Sequence, residues 1–208
     1  IDIVNNGRTF LILDRDGLLG KFNASTAFDL DGLTYVENIS LGATIDSVAF
    51  NRDGTKLFTL SSTSDTPTLT TFELPGPNDI SSKNQIHQVD LSTLGIDVDS
   101  PTGNVAEDIE FSDDGFAMFV LIRNETYVGG GLPNSFIYQF RLDISFDVST
   151  AEKVGRWNVE GFGNITDTTN NTGIPEGFTF SPDGSARSTM FEISFAVSTR
   201  LFERIFIS

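Results

Sequence analysis

The chain has 208 residues, with 29 acidic against 13 basic side chains, a formal net charge of −16, no cysteine and one histidine. That balance excludes nucleic acid, whose phosphates need a basic face, and an anionic membrane surface, while the lack of cysteine excludes a disulfide framework and any thiolate metal site. With 38 % hydrophobic and 20 % charged residues the composition is globular and supports one all-β domain with a real core; no apolar run approaches the roughly 20 residues of a membrane helix.

The chain opens on Ile1 without Met or a signal peptide, which reads as a processed or partial chain. Apolar runs at 1–3, 10–13, 18–22 and 34–41 predict four strands of a first unit, the opening one incomplete. The second unit takes strands at 45–50, 57–60, 69–74 and 86–91. Its stretch Leu74-Pro75-Gly76-Pro77-Asn78-Asp79 is a connection, because proline cannot serve an internal ladder. The third unit takes 109–111, 117–122, 136–142 and 154–159, with a Gly-rich loop at 129–134. A fourth takes 177–180, 189–193 and 201–207 and ends one strand short. An alternative lays Glu192-Ile193-Ser194-Phe195 on Asp143-Ile144-Ser145-Phe146, so that internal strands are missing instead; the sequence leaves both open.

One turn recurs through these units. Phe50-Asn51-Arg52-Asp53-Gly54, Phe111-Ser112-Asp113-Asp114-Gly115 and Phe180-Ser181-Pro182-Asp183-Gly184 share a form, with a fainter copy at Ile3-Val4-Asn5-Asn6-Gly7. Each is an apolar strand running into an Asp- and Gly-rich reversal, followed by a second apolar run, which is a hairpin signal. The four glycines are spaced 47, 61 and 69 residues apart, and the shortest interval fits one four-stranded propeller blade with insertions growing later. The expectation is an all-β, β-propeller-type array of four blade-like repeats, first and last incomplete, in one domain over 1–208. Its repeats lie at about 1–43, 44–103, 104–173 and 174–208.

The succession of the Phe-Ser-Pro-Asp-Gly type of turn, an apolar strand, Ile137-Tyr138-Gln139-Phe140-Arg141-Leu142 and Phe146-Asp147-Val148-Ser149-Thr150-Ala151 resembles the YVTN-type propeller repeats of bacterial, environmental and phage surface proteins. The likeness is clearest from Val105 to Ala151 and implies a fold and a setting, since propellers host many functions. The long insertions, the irregular fourth unit and the small number of units depart from that pattern.

Aligning the repeats brings out one acid. Asp46, Glu107 and Glu176 each stand four residues before the turn phenylalanine, near the start of the innermost strand. Around a common axis three carboxylates meet at one mouth of the channel and form a hard-oxygen site for calcium. Pro175-Glu176-Gly177 is similar to the calcium-binding strand opening of gluconolactonase-like and phytase-like propellers, and that resemblance implies Asp46, Glu107 and Glu176 as metal ligands and Ca2+ as cofactor. The competing reading is three hydrated acids facing a solvent-filled channel.

No catalytic residue is assigned. Asp14-Arg15-Asp16-Gly17 lacks the later ligands of a calcium loop and reads as a hairpin turn. His87 has no second His or Cys to partner it and reads as an ordinary strand-surface residue, and Trp157 and the phenylalanines are assigned to the core. Asn-x-Ser/Thr sequons at Asn23, Asn38, Asn124, Asn164 and Asn170 mark glycosylation candidates.

The leading expectation is a non-enzymatic extracellular module of a cell or virion surface, built for binding or assembly. Its partners would be other protein chains or glycans, with no nucleic acid and no membrane insertion. The alternative is a calcium-dependent lactonase-like or phytase-like hydrolase with its metal in the central channel, polarising a lactone or phosphate ester.

Overall fold

The computed structural model describes residues 2–14, 16–42, 44–62, 67–96, 104–124, 135–158, 177–180, 191–194 and 204–206; for 104, 123–124, 179–180, 191–194 and 204–206 it is the backbone that is described. The first sheet comprises β1 (Asp2–Val4), β2 (Thr9–Leu13), β3 (Leu18–Ala24) and β4 (Leu33–Ser40). The second comprises β5 (Ile45–Phe50), β6 (Lys56–Ser61), β7 (Thr68–Glu73) and β8 (Asn84–Asp90). The third comprises β9 (Asn104–Phe111), β10 (Ala117–Asn124), β11 (Ser135–Leu142) and β12 (Ala151–Asn158). A three-stranded sheet comes last: β13 (Thr179–Phe180), β14 (Phe191–Ser194) and β15 (Arg204–Phe206).

Each sheet is an antiparallel meander with its strands in chain order, the blade-like unit that the recurring turn predicts. All four strands of the first sheet are present, its inner strand reduced to three residues. The fourth sheet has three strands among the described residues. β14 occupies 191–194, where the alternative alignment laid a connection, so the reading with a missing outer strand is the one that agrees with the backbone.

The core lies between sheets, as it must when each sheet buries both faces. Leu11 and Leu19 of the first sheet pack with Leu57, Phe72 and Leu74 of the second. Phe58, Leu60 and Leu69 of the second pack with Ile109, Val120 and Phe140 of the third. β1 touches β5, and β5 packs along β9, so the inner strands stand side by side. Fully burying a side chain of this size is worth about 1.5–3 kcal/mol, and these two interfaces set the order of the sheets. Trp157 departs from expectation. It sits on the outer strand β12 and is 42 % exposed, because among the described residues no further strand lies beyond β12 in that sheet.

The recurring turn is built alike in the second and third sheets, where Gly54 N–H donates to Asn51 O (2.9 Å) and Gly115 N–H to Ser112 O (2.8 Å). In the first sheet the bond falls one residue later, from Arg8 N–H to Asn5 O (3.2 Å), with Asn5 and Asn6 also at positive φ. Gly7, Gly54 and Gly115 all take the left-handed conformation, with φ of 79°, 70° and 72°. The turn Asp14–Leu18 is a hairpin reversal: Asp14 Oδ1 accepts from the amides of Asp16 (2.9 Å) and Leu18 (2.8 Å).

Candidate functional site

The inner strands β1, β5 and β9 and the segment 177–178 enclose a cleft of about 1070 Å³. Sequence sets its wall through two equivalent irregularities. In β5, Ile45 pairs with Ser61 and Ser47 with Leu60, so Asp46 is the extra residue of a β-bulge. In β9, Ala106 pairs with Ile122 and Asp108 with Leu121, so Glu107 is the extra residue there. A bulge breaks the two-residue alternation and re-aims the side chains beyond it. Ala106 and Ile109 are three apart, yet both enter the same core cluster for this reason. In β5 and β9 the acid that recurs in the sequence is thus the bulge residue.

Beyond the β9 bulge, Asp108 and Glu110 share a strand face, and both line the cleft with Asp2 of β1. Asp108 Oδ1 accepts from the Ser47 hydroxyl (2.6 Å) and from its neighbour's amide, Ile109 N–H (2.9 Å), while Oδ2 accepts from Phe178 N–H (2.9 Å). Burial nevertheless dominates and holds the Asp108 carboxyl above the usual range. Burial likewise raises Asp2, against the amides of Ile3 and Phe50 that favour its ionised form. Glu110 is pushed furthest, from 4.5 to about 8, first by burial and then by the charges of Asp108 and Asp2. At neutral pH Glu110 therefore holds its proton, in a cleft it shares with Asp2 and Asp108. A carboxyl kept neutral beside other carboxyls is the arrangement from which a proton donor and a proton acceptor are made.

Of the three acids aligned in the sequence, Asp46 and Glu107 line this one cleft and Glu176 lies outside the described residues. Asp46 Oδ2 accepts from Ser62 N–H (2.7 Å). Among the described residues no three His, Cys, Asp or Glu side chains are placed to share a metal ion. His87 lies on β8, paired with Thr71 and away from the cleft lining, with its Nε2 buried. Asn23 and Asn38 are exposed on β3 and β4, and Asn23 Oδ1 accepts from the Thr9 hydroxyl (3.2 Å). Asn124 ends β10, and Asn164, Asn170 and the loop 129–134 lie outside the described residues.

Sequence reasoning passed over Asp2, Ser47, Asp108 and Glu110. A signal for them exists in the same alignment: Asp2 and Glu110 both stand five residues before a turn glycine, Gly7 and Gly115. Asp108 and Glu110 flank Ile109 at the two-residue spacing of one strand face. Their burial depends on neighbouring sheets and has no local mark.

No family model matches the chain, and no curated protein matches it. Solved structures do. A provisional 6-phosphogluconolactonase from Bacteroides uniformis shares 18 % identity over 98 % of this chain at a TM-score of 0.50. One from Bacteroides fragilis shares 20 % over 98 % at 0.51, and a protein from Lactobacillus plantarum 15 % over 95 % at 0.50. This chain spans about half the length of each, 52 %, 52 % and 54 %. At such identities the likeness speaks for the fold, and with the meandering four-stranded sheets it makes this an all-β array of propeller blades.

Proposed function

We propose that the cleft hydrolyses an uncharged lactone or related ester, with Glu110 as proton donor and Asp2 as proton acceptor. The observation that carries this reading is that Glu110, whose carboxyl burial pushes up to about 8, lines one cleft with Asp2 of a different inner strand. The two Bacteroides structures, both provisional 6-phosphogluconolactonases, support the reaction class.

In the reaction water attacks the acyl carbon and Asp2 takes its proton. The acyl C–O bond breaks, and Glu110 delivers its proton to the departing alkoxide oxygen, giving a hydroxy acid. Exchange through water returns the proton from Asp2 to Glu110. Among the described residues, five acidic side chains besides the protonated Glu110 line the cleft (Asp2, Asp46, Glu107, Asp108 and Asp113) against Arg52, an acidic lining that disfavours a phosphorylated substrate. The substrate class is therefore uncharged sugar lactones. Asp46 and Glu107 offer two hard-oxygen donors towards calcium, and among the described residues no group of three His, Cys, Asp or Glu is placed to hold it. The test compares hydrolysis of uncharged and phosphorylated aldonolactones. Uncharged substrates are expected to turn over faster, and Glu110→Gln to lower kcat by about 100-fold or more, as loss of a general acid does.

A second reading, a non-enzymatic module of a cell or virion surface of the YVTN-repeat kind, draws support from the first sheet. Tyr35 and Val36 on its outer strand β4 are exposed, as are Phe28 and Leu30 just before it. An apolar group of this kind on an outer strand suits self-assembly. Sedimentation of the protein with and without Val36→Lys tests it: a concentration-dependent oligomer that the variant abolishes would favour this reading over hydrolysis.

A further inference from the structure

Three successive inner strands meet on one carboxylate. Asp108 belongs to β9; its partners are Ser47 of β5 at 2.6 Å and the amide of Phe178, ahead of β13, at 2.9 Å. The fit on the third side is close, for a Cβ placed on Gly177 would stand 3.2 Å from Asp108 Oδ2. Asp108 also lies two residues from Glu110 on the same strand face. Both its oxygens accept hydrogen bonds, one from β5 and one from the segment ahead of β13. We propose that Asp108 is a positioning residue that fastens the second, third and fourth sheets together at the axis and thereby fixes Glu110 in the cleft.

This rests on the acid–base reading for its catalytic consequence and on the hydrogen bonds alone for its structural one. The charged groups around Glu110 are Asp2 from β1, Asp46 from β5, Arg52 from the turn after β5, Glu107 and Asp108 from β9, and Asp113 from the turn after it. Asp108 and Asp2 are the two carboxylates whose charges raise Glu110. Replacing Asp108 by Asn keeps the shape, removes the charge and turns one acceptor into a donor facing the Phe178 amide. Replacing Ser47 by Ala removes one fastening and keeps the charge.

The experiment follows the Glu110 carboxyl by carbon NMR of 13C-labelled protein across pH 4 to 10, beside lactone turnover, in the native protein, Asp108→Asn and Ser47→Ala. Asp108→Asn is expected to lower the Glu110 midpoint by about one pH unit or more, since removing a like charge favours ionisation. Ser47→Ala is expected to leave the midpoint in place and to lower kcat by about three- to tenfold with KM little changed, as misplacement of a catalytic group does. An unchanged midpoint in folded Asp108→Asn, or full turnover in Ser47→Ala with native kinetics, would overturn the proposal. Should no variant, nor the native protein, hydrolyse any lactone, the hydrolase reading fails, and thermal melts of Ser47→Ala decide the fastening, a lowered melting temperature supporting it and an unchanged one overturning it. If Asp108→Asn does not fold, the Ser47→Ala kinetics decide.

Discussion

The carbonyl of Gly115 accepts a hydrogen bond from the amide of Phe146 at 2.9 Å, and the Phe146 ring lies over the glycine where a Cβ would stand. The pair joins the first hairpin turn of the third sheet to the connection between its last two strands. It recurs as Gly7 with Phe28 and Gly54 with Asn78, each at 2.7 Å. The partner is itself in the left-handed region each time, with φ of 61° at Phe28, 55° at Asn78 and 54° at Phe146. An Asx turn comes next in all three, at Asp29, Asp79 and Asp147. A lysine of the preceding sheet also reaches the partner's carbonyl in two: Lys21 Nζ to Asn78 O (2.7 Å) and Lys56 Nζ to Phe146 O (3.1 Å). A bulky residue at positive φ is costly, about 1–3 kcal/mol, and it persists where its surroundings over-determine it.

Gly115→Ala therefore loses on two counts, the left-handed backbone and the overlap with Phe146. The expected destabilisation is about 2–4 kcal/mol, read as a lowered urea midpoint at unchanged slope. Gly76→Ala serves as the control, since nothing stands within 4 Å of a Cβ there. Its midpoint should move little.

Burial of Glu110 makes stability fall with pH. Its folded pKa, about 8, stands above the ordinary 4.5, so between those values the folded protein holds a proton that the unfolded chain releases. The favourable contribution is whole below pH 4.5 and is lost as pH rises through 8. Glu110→Gln cannot ionise and escapes that loss. Thermal melts should show the variant more stable than the native protein at pH 9, by about 1 kcal/mol or more, with the difference shrinking towards pH 4.5.

The turn acids behave in the opposite sense. Side-chain hydrogen bonds from Thr55, Ser81, Ser112 and Ser149 hold Asp53, Asp79, Asp114 and Asp147 below the ordinary 3.8. Their contribution is present above 3.8 and disappears as pH falls through the lowered values. Asp114→Asn should flatten the acid limb of the stability curve in melts between pH 2 and 4 while leaving the midpoint at pH 7 within about 0.5 kcal/mol, because exposed polar contacts of this kind are individually weak.

The acid–base reading assigns its proton transfers to Glu110 and Asp2 alone and therefore predicts hydrolysis independent of calcium. Dialysis against a chelator is expected to leave kcat unchanged. A loss of more than about tenfold, restored by calcium alone, would return Glu176 to consideration as the third ligand.

The strand plan was legible because its marks are local. Turn glycines, alternating apolar residues and proline-bearing connections placed β5 at Ile45–Phe50 and ten of the other eleven strands of the first three sheets within about three residues of where they lie, whereas β9, read as 109–111, begins at Asn104. The second copy of the glycine–partner pair was hidden: Asn78, between Pro77 and Asp79, replaces the phenylalanine of its counterparts, Phe28 and Phe146. The bulges were hidden too, since an extra residue is visible only against the partner strand. Asp46 and Glu107 carried a repeat signal and so were noticed, whereas Asp108 owes its importance to Ser47 and Phe178, contacts made by distant parts of the chain. Trp157 was misjudged because residue type suggested burial, and its position on the outermost strand decides otherwise.

The most direct test of the proton-donor assignment is the pH dependence of kcat/KM for an uncharged aldonolactone, with native protein and Glu110→Gln side by side. The account predicts a native profile that falls on the alkaline side with a midpoint near 8, and a variant whose residual rate lacks that limb. A native profile flat from pH 6 to 10, or a Glu110→Gln variant as active as the native protein with the same alkaline limb, would contradict it.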